Sequence, residues 1–282
     1  MNGRALGKRP LPGGERIAVV YIQGIITTQT ISGGPFGGST AGIRGVVDAL
    51  RRVEEDPAIK AVVLRLDSPG GSAAASQEVA AQVERVKKAG KKVVVSMGDV
   101  AASGAYWIAA GADRIVADPA TVTGSIGVLI ETIQVTGLYG KIGVNKEVVK
   151  SGPFKDMGSE SRPMTAEERT ILQKMVDDIY DQFVDRVAQG RNMRREQVLV
   201  LADGRVFTGR QAKSAGLVDE LGDFRDAVRE AGRLAGIKGE PEVTDLGPTN
   251  FWDFLTRNMT GRTLYPADML PAWLLCSPLT QR

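Results

Sequence analysis

The sequence predicts an α/β fold built on a parallel sheet. Three short runs of apolar, largely β-branched residues, Ile17–Ile22, Ala61–Leu66 and Val93–Val95, are typical of buried strands. Stretches of helical periodicity separate them, and the connecting turns are short. This β-α-β-α-β order is typical of parallel strands joined by right-handed crossovers. The 282 residues are enough to bury a full core, as one large domain or two small ones.

Helices are predicted between and after these strands. The stretch Thr40–Glu55 has apolar residues on one face, and Ala73–Lys88 follows the second strand with a similar pattern. A long amphipathic helix begins at Thr165, which forms a capping box with Glu168. The predicted core stripe of this helix is Ile171, Leu172, Met175, Ile179, Phe183 and Val187. Further predicted elements are strands at 114–117 and 147–150 and a helix at 224–235.

Composition divides the chain into three parts. Residues 1–15 are polar, with Gly and Pro, and predict a flexible leader, whereas 16–240 contain the predicted strands and helices. Residues 241–282 are richer in Pro and Thr and contain apolar clusters, which predict a tail that packs on the core or covers a partner. Within the main domain, Gly24–Gly38 is rich in Gly, Ser and Thr and predicts a mobile rim.

Composition also excludes several classes of protein. A net charge of +3 does not indicate a nucleic-acid partner, and the single cysteine, Cys276, excludes an internal disulfide. No apolar run approaches the roughly 18 residues of a membrane span, so the chain as given is expected to be soluble. The chain has no histidine, which excludes a Ser-His-Asp triad, a Cys-His dyad and the usual zinc sites. No metal or organic cofactor is implied.

The stretch 98–109 is the most informative part of the sequence. It follows the Val93–Val95 strand and leads into an Ala-rich helix, with small residues on both sides of Ser103. A serine at this junction lies where a helix N-terminus offers free N–H groups and a partial positive charge. Ser103 is therefore either a nucleophile whose product is an oxyanion or the N-cap of the helix.

Without histidine, a serine nucleophile needs another base, and lysine is the known substitute. Lysine acts as a base only when it is neutral, which requires a pKa lowered from about 10.4 towards 7–8 by burial. The lysines at 87, 88, 91 and 92 form a solvated charge run, and those at 141, 146 and 150 lie on or near predicted strands. Lys155 differs, because Pro153-Phe154 and Met157-Gly158 flank it with a possible apolar wall.

An oxyanion needs preorganised N–H donors. Gly70 and Gly71 follow the second strand and allow a substrate to approach the backbone closely, so Gly71 is a candidate substrate-binding residue. The amides of Gly70 and Gly104 are candidate oxyanion donors. Ser125 and Thr123 could orient a lysine amine by hydrogen bonding, or could simply form a turn.

Four motifs in order, at 67–72, 98–109, 123–127 and 151–158, resemble the signal peptide peptidase A family in its short, single-repeat form. The resemblance covers roughly residues 15–235. It implies a Clp protease/crotonase-like spiral of β-β-α units with a C-terminal extension. It also implies that Ser103 is the nucleophile, Lys155 the general base, Gly70 an oxyanion donor and Ser125 a hydrogen-bond partner of the lysine.

The same resemblance implies a serine endopeptidase that degrades cleaved signal peptides and other small, apolar, extended peptides. Such peptidases form homo-oligomeric rings in which the serine and lysine come from neighbouring subunits. The family is membrane-anchored and faces outside the cytoplasm, whereas this chain shows no anchor. Two alternatives remain open: a crotonase-type acyl-CoA enzyme, which would use carboxylates as acid and base, and a non-catalytic membrane-associated scaffold.

Overall fold

A computed structural model describes residues 14–28 and 42–246. Nearly all of the predicted leader, the predicted rim beyond residue 28 and the tail beyond residue 246 lie outside these ranges. The described part forms one eight-stranded sheet with helices on both faces.

The strands are parallel except for one pair, which confirms the predicted parallel sheet. The strand order is β6-β5-β3-β2-β1-β8, with β4 paired to β3 and β7 paired to β4, and only β5 and β6 are antiparallel. The bounds are β1 (Arg16–Gln23), β2 (Ile59–Ser68), β3 (Lys92–Ala102), β4 (Arg114–Ala117), β5 (Val122–Gly124), β6 (Val206–Thr208), β7 (Glu220–Leu221) and β8 (Glu242–Asp245). Strand β8 comes from the predicted tail, so the sheet extends past the expected boundary at 240.

The helices follow the predicted order. Two have the predicted bounds, 73–88 and 224–235. The bounds are α1 (Ile43–Glu55), α2 (Ala73–Lys88), α3 (Gly104–Ala109), α4 (Thr136–Lys141), α5 (Ala166–Arg191), α6 (Arg195–Leu201), α7 (Gly209–Ser214) and α8 (Phe224–Ala235). The predicted strand at 147–150 is wrong, because these residues form an exposed irregular segment. None of the helices in the described ranges is long and apolar enough to cross a bilayer.

The sheet is buried on both faces. Alternate residues of β1 point to opposite sides, so that Ala18, Val20 and Ile22 join the main core while Ile17 and Val19 pack in a second cluster with α8. Helices α1, α2 and α3 and the second half of α5 enclose the main core. Burial of both faces explains why the central strands are continuous apolar runs rather than alternating ones.

One edge of β3 pairs with two strands in succession. Its residues Val94–Met97 pair with β4, and Val100–Ala102 pair with β5. Strand β2 occupies the other edge of β3 along most of its length. The strand that neighbours β3 on this edge therefore changes from β4 to β5 a few residues before Ser103.

Helix α5 contributes to the core only through its second half. Phe183 and Val187 are buried as predicted, whereas Ile171 and Met175 are exposed. The predicted core stripe is therefore correct only towards the C-terminus of the helix. The segment 128–150 also exposes apolar side chains: Leu129, Ile130, Ile133, Leu138, Ile142, Val144, Val148 and Val149. Together, residues 128–150 and the first half of α5 form a surface that we call the apolar flank.

Candidate active site

Ser103 lies on a strained turn between β3 and α3. Its φ of 53° and ψ of −120° form a conformation that non-glycine residues rarely adopt. The turn is held by two hydrogen bonds: its N–H donates to Gly124 O at 2.8 Å, and its carbonyl accepts from Trp107 N–H at 2.9 Å. The Ser103 side chain makes no capping hydrogen bond. The N-cap explanation for this serine is therefore not supported, and its hydroxyl is available to the adjoining cavity.

The strain at Ser103 predicts an unusual stability result. Strain of this kind costs about 1–3 kcal/mol, and glycine relieves it at an entropic cost of about 0.5–1 kcal/mol. We expect Ser103→Gly to melt about 2–4 °C higher than Ser103→Ala, which retains a Cβ. Differential scanning calorimetry of the two variants measures this difference. Equal melting temperatures, or a lower one for the glycine variant, would show that the turn is unstrained.

Two glycines bring the end of β2 against this turn. Gly70 has a φ of +102°, and a Cβ there would lie 2.8 Å from Ser103 Cβ and 2.7 Å from Gly104 N. Gly71 has a φ of +151°, and its Cβ would lie 2.2 Å from Ile26 O. Both positions therefore require glycine. The structure brings the glycine turn and the Ser103 turn together at the carboxyl ends of adjacent parallel strands, as expected for sites on such sheets.

The backbone amides at this point differ in their partners. Gly70 N–H donates to Ser68 Oγ at 3.1 Å. The backbone of Ile26 binds the residues on both sides of Gly71: its N–H donates to Gly70 O at 2.8 Å, and its carbonyl accepts from Ser72 N–H at 2.9 Å. The amides of Gly71 and Gly104 make no hydrogen bond within the described residues. Gly71 N lies 3.3 Å from the position of a Cβ on Gly104, so the Gly71 amide lies beside the first residue of α3.

Helix α2 adds a favourable electrostatic environment. It begins directly after Ser72, whose Oγ accepts from Ala75 N–H at 3.3 Å, and its 16 residues give it a full helix dipole. The buried Ser76 hydroxyl donates to Ser72 O at 3.0 Å and fixes the first turn. A negative oxygen bound beside Gly71 would lie at the positive end of this helix.

A cavity of about 730 Å³ opens beside Ser103. Trp107 of α3 and Phe183 of α5 contact each other within it, with ring centroids 4.7 Å apart. Helical periodicity predicted Phe183 as a core residue, and it did not indicate that the contact between α3 and α5 places Phe183 and Trp107 in the lining of this cavity. The other side chains and backbone that line the cavity belong to Gly71–Ala73, Ser103, Gly104, Ser125, Gly127–Ile130, Val176, Asp177, Ile179, Tyr180 and Ala202–Gly204.

Ser125 and Thr123 have different environments. Thr123 is buried, and its hydroxyl donates to Ala101 O at 2.7 Å, which ties β5 to β3. Ser125 lines the cavity with Ser103 and has a φ of 50°, with its N–H donating to Arg205 O at 2.9 Å. Thr123 is therefore a structural residue, whereas Ser125 can reach a group that enters the cavity.

Lys155 lies outside this cavity. It occupies a loop of successive turns, with its N–H donating to Gly152 O at 3.3 Å, and its side chain is exposed. The apolar wall predicted around it is not present within the described ranges, since Phe154 is itself 37% exposed. The charged residues lining the cavity are Asp177 and Asp203, and none of its described lining residues is a lysine. One chain therefore presents the predicted nucleophile and the predicted base at separate places.

The lysines near this loop differ in their partners. Lys146 pairs with Glu160, and this hydrogen bond raises the pKa of Lys146, which opposes a role as a base. Lys150 donates to Asp156 Oδ1 at 2.7 Å. The Lys155 amine makes no ion pair or hydrogen bond within the described residues. Among the three, Lys155 is the lysine whose amine is not committed to a carboxylate.

A strained serine, two adjacent amides and an apolar cavity on a parallel α/β sheet define a hydrolase-type site. Residues 85–238 match Peptidase family S49. Over 236 residues the chain is 40% identical to a protein of Methanocaldococcus jannaschii described as a candidate protease, covering 83% of this chain and 75% of that one. The chain belongs to peptidase family S49 and is a serine peptidase.

Further comparisons agree with this assignment. Over 196 residues the chain is 42% identical to a protein of Enterococcus faecium described as a candidate signal peptide peptidase SppA, covering 70% of this chain and 55% of that one. A serine-to-alanine mutant of the membrane-bound stomatin-specific protease 1510-N has a similar fold, with a TM-score of 0.53 and 16% identity. That likeness covers 84% of this chain and all of the other. The resemblance to signal peptide peptidases is confirmed, and the acyl-CoA and scaffold alternatives lose their support.

Proposed function

We propose that the protein is a Ser–Lys endopeptidase that degrades cleaved signal peptides and other small, apolar, extended peptides. One observation carries the proposal: the uncapped Ser103 lies beside two amides that have no partner within the described residues, and all three line one largely apolar cavity. Apolar lining favours apolar side chains in the bound peptide. An extended peptide can add a strand beside the open segment at 127–130. By resemblance to membrane-anchored relatives, we infer that the peptidase works outside the cytoplasm at a membrane.

The reaction follows from the roles of these groups. Ser103 Oγ attacks the peptide carbonyl while neutral Lys155 accepts the serine proton, and the carbonyl oxygen becomes an oxyanion. In this proposal the donors are Gly104 and Gly71 rather than Gly70, because the Gly70 amide already donates to Ser68 Oγ. The lysine then protonates the departing amine. It next accepts a proton from water, which hydrolyses the acyl-enzyme and restores the serine.

We infer that Lys155 serves the Ser103 of a neighbouring subunit. Its exposure in one chain and the lack of a lysine in the described cavity lining support this arrangement. The apolar flank supports it too, because exposed apolar surface of this extent is typical of an interface. A second copy that covers the flank would bring the loop at 151–158 to the cavity and desolvate the lysine amine. Ser125 would then orient that amine, within a ring of identical subunits.

A fluorophosphonate probe tests this proposal directly. The probe reacts with activated serines, so we expect labelling at Ser103 by peptide mapping, and loss of that labelling in Lys155→Ala. The labelling rate should rise as the pH increases through the alkaline range, because the base acts only when deprotonated. Labelling at another residue, or unchanged labelling in Lys155→Ala at every pH, would refute the Ser–Lys pair.

A further inference from the structure

The loop that carries Lys155 is tied to helix α5 by one guanidinium. Arg162 Nε and Nη2 donate to Asp156 Oδ2 and Oδ1 at 2.9 and 2.8 Å. Its Nη1 donates to Glu168 Oε2 at 2.9 Å, and Nη2 also contacts Glu168 Oε1. Paired bonds between arginine and a carboxylate fix direction as well as distance. Arg162 therefore joins the residue next to Lys155 to the first turn of α5, and we call this network the Arg162 clamp.

The helix side of the Arg162 clamp is rigid. Glu168 is only 2% exposed, and its Oε2 also accepts from Thr165 N–H at 2.9 Å. Thr165 Oγ1 in turn accepts from Glu168 N–H at 3.1 Å, which completes the capping box. Helix α5 is fixed in the core by Phe183 and Val187. Arg162 is therefore held at a point whose position the core determines.

On the loop side, hydrogen bonds within the loop hold its shape. Lys150 Nζ donates to Asp156 Oδ1 at 2.7 Å and to Pro153 O at 3.0 Å, so the loop ends are joined across Lys155. The Asp156 side chain is only 13% exposed. Through this connection, displacement of the Asp156 carboxylate would move the backbone of Lys155.

We propose that Arg162 and Glu168 are positioning residues for Lys155, holding its loop at a fixed distance and direction from α5. The inference rests on the proposed function, in which Lys155 is the base. Neither residue lines the cavity beside Ser103. Arg162 has a second effect, because it occupies Asp156 Oδ2, the oxygen that Lys150 does not bind and that could otherwise pair with the Lys155 amine.

The charges around the loop keep the Arg162 clamp ionised at working pH. Hydrogen bonds from Arg162 and Lys150 hold the pKa of Asp156 well below its usual range, and those from Arg162 and Thr165 lower the pKa of Glu168 to about 2. Carboxylates with lowered pKa values stabilise the fold above their ordinary range and lose that effect as the pH falls. The full contribution of the clamp to stability is therefore present above about pH 4.5, the ordinary pKa of a glutamate, and is lost as the pH falls towards about 2. The charged groups facing it are Lys146, Lys150, Asp156, Glu160, Arg162 and Glu168.

The test is Arg162→Gln, assayed on a peptide substrate. We expect kcat to fall about 10- to 100-fold, the scale of a misplacement of roughly 1 Å, with KM unchanged within about twofold. The rise of activity with pH should also move to higher pH, because Asp156 Oδ2 loses its partner and a carboxylate oxygen open to Lys155 favours the protonated amine. Arg162→Lys should recover only part of kcat, because an ammonium cannot bind both carboxylates in the same way.

Arg195→Gln is the matched control. Arg195 also binds two carboxylates of α5, Asp181 and Asp185, but these lie on the exposed face of the second half of the helix. This variant should keep the parent kcat, and titration of Ser103 with fluorophosphonate should give the same number of sites in both variants. Parent values of kcat and of the pH profile in Arg162→Gln would overturn the inference. An equal loss of kcat in both variants would also overturn it.

Mixed assemblies separate positioning from a general effect on folding. In a mixture of Ser103→Ala and Lys155→Ala subunits, the first kind donates Lys155 and the second kind donates Ser103. Arg162→Gln should lower the activity of the mixture when it is added to the Ser103→Ala subunit. It should leave that activity unchanged when it is added to the Lys155→Ala subunit. Loss in both placements would overturn the positioning role. Lys155→Ala is assayed in parallel: if it stays active, the proposed function fails. If it is inactive while Arg162→Gln has parent kcat, only the present inference fails.

Discussion

Replacing Ser103 with alanine is expected to lower kcat by about 10⁴-fold or more, the effect of removing a serine nucleophile from such a site. The cavity and both amides would remain, because the side chain makes no capping hydrogen bond and the alanine keeps the backbone of the turn. Peptide binding should therefore survive while hydrolysis is lost. Cleavage of a fluorogenic apolar peptide and binding of the same peptide measured by fluorescence anisotropy give the two values.

Thr123→Val provides the control for this substitution. Thr123 adjoins the same site but is buried and donates to Ala101 O, so its loss should reduce stability rather than chemistry. We expect its kcat to stay within about threefold of the parent once active sites are counted, because the lost hydrogen bond joins β5 to β3 and Thr123 does not line the cavity. If Ser103→Ala retained hydrolysis above the background rate, Ser103 would not be the nucleophile.

Lys155→Ala is expected to remove activity to a similar extent, and the loss should be reversible by mixing. When inactive Ser103→Ala and inactive Lys155→Ala subunits are refolded together, some interfaces join an intact serine to an intact lysine. For random mixing in equal amounts we expect about a quarter of parent activity. Half of the subunits keep Ser103 and half keep Lys155, so about one interface in four joins an intact serine to an intact lysine. The assay is peptide hydrolysis after co-refolding, with each variant refolded alone as the baseline.

The outcome of this mixing experiment decides between two geometries. Recovery of activity requires that the serine and lysine of one site come from different chains. If the mixture stays as inactive as its components while its oligomeric size by light scattering matches the parent, the lysine acts within its own chain. The loop at 151–158 would then have to move into the cavity of the same subunit.

Local sequence patterns were sufficient to predict the turn that carries Ser103. A strand, small residues on both sides of Ser103 and a buried helix all point to one junction, and the parallel sheet brings the glycine turn of β2 to the same edge. The sequence does not indicate that a nearby hydroxyl, Ser68 Oγ, accepts a hydrogen bond from the Gly70 amide. The role of Gly70 as an oxyanion donor stays a prediction.

The patterns failed where burial depends on another surface. Val148 and Val149 predicted a strand at 147–150, yet Val149 is 95% exposed. Ile171 and Met175 follow helical periodicity but do not reach the core of their own chain. Periodicity shows that apolar residues share one face of an element. It cannot show whether the same chain or a second copy covers that face. The surroundings of Lys155 could not be predicted for the same reason.

The separation of Ser103 from Lys155 within one chain has a consequence for the life of the enzyme in the cell. On the proposed arrangement, a newly made subunit has a nucleophile without a base and is therefore a latent enzyme. A single subunit would therefore not hydrolyse the peptides around it, even without an inhibitory segment. Assembly itself is the activation step, so the onset of proteolysis depends steeply on the local concentration of subunits. Dilution would return the enzyme to latency.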